Sequence, residues 1–392
     1  MSEIREKFEQ TFHTPATHVF SAPGRTELSG NHTDHQHGRV LAAAVELDTR
    51  AAVARNGTSH IRVLSEGYPL LCDIDLEDLS VRAGEKNTTA ALIRGVAAGF
   101  ARRGCTLGGF DAYVTSTVLP GSGLSSSAAF EVMLGTAMNH LFSCGLDAVA
   151  IAQIAQFAEN VYFGKPCGLM DQMASSVGGC VAIDFADPAA PVVTPVDFDF
   201  SACGHALCII DSGASHADLT DEYAAIPAEL HAVCALFGKD VLRQVPETEF
   251  YARLSEVRQA AGDRAALRAI HVYEENRRVA AEVDALRRGD FQRFLRVVNE
   301  SGFSSQNLLQ NVIPAGATTR QEVALALGLA RHLLGGRGAC RVHGGGFAGT
   351  IQAFVPEDML ASFRSSMEAV LGKGSCHVLS IRPWGGMVMS AE

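Results

Sequence analysis

The sequence predicts an α+β protein built from two domains. The chain has 392 residues, which is more than one ordinary hydrophobic core accommodates. Strand-like and helix-like segments alternate along it, and a proline-rich stretch at residues 188–195 is the clearest change in composition. We therefore place a domain crossing near residue 200, with an N-terminal domain at 1–200 and a C-terminal domain at 201–392.

Composition limits the functions that this chain can have. Hydrophobic residues make up 47% and charged residues 19%, which is typical of a globular protein. A net charge of -11 argues against nucleic acid or an anionic membrane as a partner. The first seven residues lack the apolar region of a signal peptide, and the ten cysteines contain no CxxC pair. We expect a cytoplasmic protein with reduced thiols, monomeric or weakly homo-oligomeric.

A glycine- and serine-rich loop follows a predicted strand at residues 110–118 and precedes a predicted helix at 128–142. A strand, such a loop and a helix N-terminus together present backbone N–H groups and a helix dipole to a phosphate. The residues that would do so are two glycines, which allow close approach, and three serines, whose hydroxyls suit phosphate or Mg²⁺: Gly121, Gly123, Ser125, Ser126 and Ser127. No Lys follows the glycines, so this is not a Walker loop. The alternative is a surface turn that ends in a serine N-cap; the flanking strand and helix favour the phosphate site.

A dense polar segment at residues 24–38 lies between a short predicted strand, which ends at Pro23-Gly24, and an apolar run at 40–45. Three imidazoles and a carboxylate in this segment would suit a transition metal: His32, His35, His37 and Asp34. Alternatively, Arg25, Asn31 and Asp34 would bind a sugar through hydrogen bonds. A solvated loop is the third possibility, and spacing alone does not decide among them.

An acidic residue, Asp171, lies among small and apolar neighbours after a predicted helix at 147–163, which has Asp147 as its N-cap and Glu159 near its end. One interpretation makes Asp171 itself a helix N-cap. The other makes it a carboxylate that orients a substrate hydroxyl or accepts its proton. The residues around it leave both interpretations open.

The second half of the chain has an α+β pattern around another glycine-rich loop. Strands are predicted at 206–211, 350–355 and 377–381, with helices that include 265–288, 319–334 and 356–371. Gly344, Gly345 and Gly346 form either a tight hairpin turn or a backbone that approaches a ligand closely.

Four segments, taken together and in this order, resemble the motifs of galactokinases in the GHMP kinase superfamily. They are Gly24-Arg25 with Gly30-Asn31-His32-Thr33-Asp34, then Pro120 to Ala128, then Gly168-Leu169-Met170-Asp171-Gln172, then Gly344-Gly345-Gly346-Phe347-Ala348-Gly349. The resemblance implies an N-terminal domain similar to part of ribosomal protein S5, a ferredoxin-like C-terminal domain and an active site between them. It also implies ATP-dependent phosphorylation of the anomeric hydroxyl of galactose or a galactose-like sugar.

The resemblance assigns roles to individual residues. Asp171 would be the catalytic carboxylate and Arg25 its cationic partner, which should lower the pKa of Asp171. Ser127 and Glu159 would hold Mg²⁺. The sugar would contact Asn31, His32 and Asp34 and, by a weaker match, Tyr223. The ATP phosphates would lie against Gly121, Ser122, Gly123, Leu124, Ser125, Ser126 and Ser127, with Gly344, Gly345 and Gly346 closing over the site. This match makes a histidine metal site less favoured.

Five residues at four places depart from the galactokinase pattern, and they bear on which sugar is recognised more than on the reaction. Galactokinases usually carry Asn where Glu27 stands, Glu where Asn31 stands, Tyr where His35 stands and Met-Thr where Val342-His343 stands. The usual Glu accepts a hydrogen bond from the hydroxyl on carbon six of the sugar, whereas an Asn amide both donates and accepts. We therefore expect altered recognition at carbon six, with galacturonate or N-acetylgalactosamine as alternative substrates. A non-catalytic sensor of sugar and ATP is the alternative to a kinase.

Overall fold

The structure is a computed structural model that describes residues 2–118, 123–165, 167–215 and 219–391. The strands in these residues, in chain order, are β1 (His18–Ser29), β2 (Arg39–Arg55), β3 (His60–Ser65), β4 (Cys72–Asp75), β5 (Phe110–Ser116), β6 (Cys180–Asp184), β7 (Val192–Pro195), β8 (His205–Asp211), β9 (Ala339–Val342), β10 (Thr350–Pro356), β11 (Cys376–Leu379) and β12 (Met387–Ala391).

The helices in the same residues are α1 (Ser2–Phe12), α2 (Thr89–Arg102), α3 (Ser126–Leu141), α4 (Ala148–Phe157), α5 (Met170–Val177), α6 (Thr220–Ala235), α7 (Glu247–Ala252), α8 (Leu254–Ala261), α9 (Asp263–Arg287), α10 (Phe291–Ser304), α11 (Glu322–Leu334) and α12 (Leu360–Leu371). Two π-helical turns, Ala158–Phe163 and Ser305–Leu309, directly follow α4 and α10. In the part of the chain that the structure describes, no helix is long and apolar enough to cross a membrane.

The first sheet joins strands from both ends of the chain. Its order is β12-β1-β2-β5-β3-β4, and β6 and β7 extend it from β2. The long strand β2 connects the two parts, because residues 49–55 pair with β5 whereas residues 39–43 pair with β6. Apolar side chains of α2, α3 and α4 pack on this sheet around Phe20, Phe100 and Phe110. This core holds β1 in place, and β1 carries Arg25.

The second sheet has the order β11-β8-β10-β9, and its paired strands are antiparallel. When β8, β9, β10 and β11 are counted as the first to fourth strands, this order is 4-1-3-2, and α12 connects the third strand to the fourth. That arrangement is the ferredoxin-like one. The predicted α+β class is therefore confirmed, with a ferredoxin-like sheet in the second half of the chain.

The predicted end of the first strand at Pro23-Gly24 is wrong, because β1 continues to Ser29. The register with β2 shifts between Pro23 and Arg25, and such a bulge accommodates a proline within a strand. The polar residues that follow are buried with hydrogen-bond partners, so they extend the strand where the sequence pattern indicates a loop. As a result, Arg25 and Glu27 project from a fixed strand.

The helix predicted at 147–163 begins as expected and ends differently. Asp147 caps α4 by accepting a hydrogen bond from the Ala150 N–H at 2.8 Å. Its α-helical part stops at Phe157, and the π-helical turn that follows carries Glu159. Such turns are frequent at functional sites.

The domain boundary near residue 200 stays a prediction. β7 ends at Pro195 and β8 begins at His205, so the two sheets separate in this interval. The C-terminal strand β12, however, pairs with β1 in the first sheet.

Candidate active site

Arg25 and Asp171 form an ion pair between β1 and the start of α5. Arg25 Nε lies 2.7 Å from Asp171 Oδ1, and the side chains are 7% and 28% exposed. Asp171 is the second residue of α5, whereas Leu169 occupies the N-cap position. The N-cap interpretation of Asp171 is therefore wrong: its carboxylate bonds to other side chains and remains partly open.

The end of the glycine- and serine-rich loop is tied to this ion pair. The Ser125 hydroxyl donates to the second carboxylate oxygen of Asp171, and the Arg25 guanidinium donates to the Gly123 carbonyl. The Arg25 backbone N–H also donates to the Leu124 carbonyl at 3.0 Å. This approach requires Gly24, because a Cβ there would lie 2.9 Å from the Leu124 oxygen.

The loop therefore does more than form a turn before α3. Ser125 directly precedes the helix, but its side chain makes no capping hydrogen bond and contacts Asp171 instead. The predicted phosphate contacts Gly121 and Ser122 lie outside the described residues. The described part places Ser126 and Ser127 in the first turn of α3, where helix N–H groups and the dipole favour an anion.

Opposing effects act on the pKa of Asp171. Burial would raise this pKa, but the charge of Arg25 and the hydrogen bonds from Arg25 and Ser125 outweigh burial, so the pKa lies below its usual value. Asp171 is consequently ionised at neutral pH and can accept a hydrogen bond or a proton.

Ser127 and Glu159 are hydrogen-bonded to each other, and Glu159 also contacts Gln172, the residue that follows Asp171. The Ser127 hydroxyl donates to Glu159 Oε1 at 3.1 Å, and Gln172 Nε2 donates to Glu159 Oε2 at 2.7 Å. A hydroxyl and a buried carboxylate are the hard oxygen ligands that Mg²⁺ prefers, and an amide that orients the carboxylate is a usual supporting feature. The donor set therefore fits the predicted Mg²⁺ site.

A second buried carboxyl, Glu131, lies behind this pair. Gln172 Nε2 is 3.2 Å from Glu131 Oε2, so one amide nitrogen bridges Glu131 and Glu159. Burial, together with the charge of Glu159, raises the pKa of Glu131 well above its usual value. Sequence reasoning missed Glu131, although its position four residues after Ser127 on α3 was a usable signal, because such residues share a helix face.

Asp34 faces the cavity in a one-turn 3-10 helix, Asp34–Gln36. Its Oδ1 accepts the His35 N–H at 2.8 Å, and its Oδ2 packs so tightly on Gly168 that a Cβ there would lie 1.7 Å away. Burial, with smaller contributions from Asp171 and Glu27, raises the pKa of Asp34 to about 6. Its carboxylate is therefore close to the ion pair and titrates near neutrality.

The histidines of the polar segment form hydrogen bonds with one another and with the protein. His32 Nε2 lies 3.0 Å from the Gly345 oxygen, and His32 Nδ1 lies 3.2 Å from His35 Nε2. Burial lowers the pKa of both imidazoles, to about 3 for His35. Across the described ranges, no three His, Cys, Asp or Glu side chains are arranged to hold a metal ion, so nothing supports the histidine metal site.

Asn31 is fully buried, and its side-chain amide is saturated. Its Nδ2 donates to Glu27 Oε1 at 3.1 Å and to the Gly344 carbonyl at 2.7 Å. Its Oδ1 accepts from Asn311 Nδ2 at 2.8 Å and more weakly from Ser305. The amide can reach a sugar only by giving up one of these bonds, and its predicted contact with carbon six stays a prediction.

Two other departures from the galactokinase pattern, Glu27 and His343, are also buried. The Arg341 guanidinium donates to Glu27, and both residues are almost inaccessible. His343 lies between Thr26 and Thr350, and its ring packs on Gly123. Burial and the charge of Arg25 keep the pKa of His343 well below its usual value, so this imidazole is neutral.

Part of this arrangement lines a cavity of about 530 Å³, although Ser127 and Glu159 are not among its lining residues. Its walls include Arg25, Asp171, Asp34, His32, Tyr223, Gly344 and Gly345. A larger cavity of about 870 Å³ lies between β6 and the second sheet, and none of the predicted site residues lines it. The smaller cavity is the candidate active site, because it combines a ligand-sized volume with converging charged groups.

Two family models match this part of the chain. One, described as a galactokinase galactose-binding signature, matches residues 6–55, and the other, the GHMP kinases N terminal domain, matches residues 91–179. The first range contains Arg25 and Asp34, and the second contains Ser127, Glu159 and Asp171. In these two ranges the chain is similar to galactokinases and to the N-terminal domain of GHMP kinases.

Solved structures show that the GHMP kinase fold extends over the whole chain. The Lactococcus lactis galactokinase, crystallised with galactose, superposes with a TM-score of 0.85 at 24% identity, covering 98% of this chain and 99% of that one. The L. major mevalonate kinase with R-mevalonate gives 0.62 at 16% identity, covering 95% and 97%. The Streptococcus pneumoniae phosphomevalonate kinase, with phosphomevalonate and AMPPNP, gives 0.61 at 12% identity, covering 95% and 99%.

In this GHMP kinase fold, predicted site residues from three of the four motif segments meet at one cavity, whereas the described residues 123–128 of the remaining segment do not line it. Arg25, Asp34, Asp171 and Gly345 are among its walls. Sequence reasoning missed three residues that support this site. Gln172 orients Glu159. Asn311 donates to Asn31 and to the Gly345 carbonyl, and Arg341 donates to Glu27. Gln172 belongs to the motif Gly168 to Gln172 and could have been predicted from the sequence. The positions of Asn311 and Arg341 depend on tertiary packing that no local pattern indicates.

Proposed function

We propose that this galactokinase-like chain is an ATP-dependent sugar kinase that phosphorylates the anomeric hydroxyl of galactose or a galactose-like sugar. The observation that carries the proposal is the Arg25–Asp171 pair, with 2.7 Å between Nε and Oδ1, bonded through Ser125 to the N-terminus of α3. An ionised carboxylate next to a phosphate-type loop suits transfer of a phosphoryl group to a hydroxyl.

On the nucleotide side, residues 123–127 and the N-terminus of α3 would hold the ATP phosphates, together with Gly121, Ser122 and the loop Gly344 to Gly346. Ser127 and Glu159 would hold Mg²⁺, which when bound neutralises charge on the phosphates. Gln172 keeps the Glu159 carboxylate oriented through its 2.7 Å hydrogen bond. The AMPPNP bound to the S. pneumoniae relative supports nucleotide use by this fold.

On the sugar side, Asp171 accepts the hydrogen bond of the anomeric hydroxyl, orients its oxygen towards the γ-phosphorus, and takes its proton as the new P–O bond forms and the bond to ADP breaks. Arg25 keeps Asp171 ionised and contributes positive charge near the transferring group. Asp34 lines the same cavity and is a further acceptor for sugar hydroxyls. The galactose bound to the L. lactis relative supports a hexose.

The identity of the sugar depends on the altered segment around Glu27 and Asn31. Galactose is our first choice, and galacturonate or N-acetylgalactosamine is the alternative. A non-catalytic sensor is less favoured, because both Arg25 and Asp171 are present and are paired.

A coupled assay with ATP and Mg²⁺ tests this proposal on galactose, galacturonate, N-acetylgalactosamine, arabinose and glucose. We expect ADP release with at least one galactose-like sugar, and ³¹P NMR of the product should show the phosphate on carbon one. Sugar binding without ADP release would favour the sensor. A phosphate on another carbon would contradict the assigned acceptor.

A further inference from the structure

Three successive carbonyls of the loop Gly344 to Gly346 accept hydrogen bonds from side chains. The Gly344 oxygen accepts from Asn31 Nδ2 at 2.7 Å, and the Gly346 oxygen accepts from the Tyr223 hydroxyl at 2.7 Å. The Gly345 oxygen accepts from His32 Nε2 at 3.0 Å and from Asn311 Nδ2 at 3.1 Å. Donors from distant parts of the chain therefore hold the loop by its carbonyls.

Within each peptide of the loop, the N–H group points away from the donor that holds its carbonyl. In a planar trans peptide the carbonyl of one residue and the N–H of the next point in opposite directions. Anchoring the Gly344 and Gly345 carbonyls therefore turns the Gly345 and Gly346 N–H groups away from Asn31 and His32. Among the described residues, neither N–H group has a hydrogen-bond partner, and Gly345 lines the cavity that contains Asp171.

The donor on His32 is itself fixed by a relay of hydrogen bonds. Gln36 Nε2 lies 3.2 Å from His35 Nδ1, and His35 Nε2 lies 3.2 Å from His32 Nδ1. Each imidazole is neutral and carries one N–H, so this order leaves the His32 proton on Nε2, facing the Gly345 oxygen. At the far end, Gln36 Oε1 accepts the Leu242 N–H at 3.0 Å.

We propose that Asn31, His32 and Tyr223 are positioning residues that hold the loop Gly344 to Gly346 by its carbonyls and thereby present the Gly345 and Gly346 N–H groups to the phosphoryl group in transfer. The proposal rests on the proposed kinase function and gives these three residues an indirect role in place of direct sugar contact. Fixed N–H donors stabilise charge that develops in a transition state, because they need no reorganisation when the reaction occurs.

Two conservative variants test the positioning role. Tyr223→Phe removes only the hydroxyl on Gly346, and His32→Asn keeps a residue type that tolerates the positive φ of 57° at this position. Tyr273→Phe is the matched control, because its hydroxyl also donates to a carbonyl, that of Val245 at 3.1 Å, away from the cavity. We expect kcat/KM for ATP to fall about tenfold in each test variant, KM for the sugar to change less than about twofold, and the control to keep its activity.

A raised KM for the sugar with an unchanged kcat/KM for ATP would overturn the proposal, because it means that Tyr223 and His32 contact the sugar directly. If the wild type phosphorylates none of the sugars, the kinase proposal fails. Calorimetry with AMPPNP then tests whether these side chains position the loop Gly344 to Gly346 for a phosphate group. Binding about tenfold weaker in the two variants than in wild type and Tyr273→Phe supports it. Equal binding, or none by the wild type, overturns it.

Discussion

Glu27 and Asn31 form one buried hydrogen-bonded pair: Asn31 Nδ2 lies 3.1 Å from Glu27 Oε1, and the same Glu27 oxygen accepts from the Arg341 guanidinium. Asn31 is 0% exposed and Glu27 3%. The pair therefore holds one negative charge, which one buried positive charge balances. Two of the positions that depart from the galactokinase pattern, 27 and 31, therefore form a single structural unit.

Asn31→Glu alone should destabilise the protein. It places a second carboxylate within hydrogen-bond distance of Glu27 and leaves the Gly344 carbonyl without its donor. The expected cost is about 1–3 kcal/mol, measured as a lower midpoint in urea unfolding.

The exchange variant Glu27→Asn with Asn31→Glu should recover much of that loss, because one amide again faces one carboxylate near Arg341. A cycle with both single variants should give a coupling of about 1–3 kcal/mol. If position 31 reads carbon six, the exchanged protein should also show about tenfold lower KM for galactose than the wild type. Additive single effects would mean that the two residues are independent.

Asp171→Asn should reduce turnover by about 10²- to 10⁴-fold, because the amide cannot take the proton of the sugar hydroxyl. Sugar affinity, measured by calorimetry, should change less than about fivefold. Asp184→Asn is the control: Asp184 pairs with Arg39 at 2.8 Å outside the cavity, and its variant should turn over normally. Near-normal turnover by Asp171→Asn would remove Asp171 from the chemistry.

The kcat/KM for the sugar should fall at acid pH because Asp34 becomes protonated. Burial raises its pKa to about 6, so the carboxylate that accepts sugar hydroxyls becomes neutral below that pH. We expect kcat/KM for the sugar to rise with pH up to about 6 and then level off. The pKa of Asp171 is lowered, so Asp171 stays ionised across this range.

Asp34→Asn supplies the comparison for that profile. The variant should be less active by about tenfold or more and show no acid limb between pH 5 and 7. An acid limb that persists in Asp34→Asn would assign the titration to another group.

Glu282 on α9 should make stability fall as pH rises. Its side chain is fully buried, and neither carboxyl oxygen has a hydrogen-bond partner among the described residues. Burial, with repulsion by Glu275, raises its pKa well above the usual value, although Arg341, the Ser29 hydroxyl and Arg278 act in the opposite direction. The folded protein therefore keeps a proton that the unfolded chain releases above about pH 4.5, and each pH unit beyond this costs up to about 1.4 kcal/mol until the folded-state pKa is passed.

Glu282→Met removes that titration at similar volume. The variant should gain stability over the wild type between pH 5 and pH 8, as measured by urea midpoints. Glu300→Met, an exposed position on α10, should show no such change with pH. A stability difference between Glu282→Met and wild type that is constant with pH would contradict a buried neutral carboxyl.

The sequence was most informative where a function depends on adjacent residues. The loop before α3 and the Asp171 segment could be predicted because glycine, serine and carboxylate side chains within a few residues already indicate their chemistry. The path of β1 through Arg25 and Glu27 could not be predicted. In the sequence, polar residues that are buried in a strand look the same as polar residues exposed in a loop until their hydrogen-bond partners are known. Those partners, such as Arg341 and Asn311, lie about 300 residues away.

The pairing of β12 with β1 has a consequence for the order in which the protein forms. His18 pairs with Ala391, so the outer edge of β1 waits for a strand made more than 350 residues later. During synthesis this edge presents unpaired N–H and C=O groups for most of the time that the chain is being extended. A nascent first sheet can therefore pair with another copy of the chain. Folding should consequently succeed more often with a chaperone or during slow synthesis than when the complete chain refolds at high concentration.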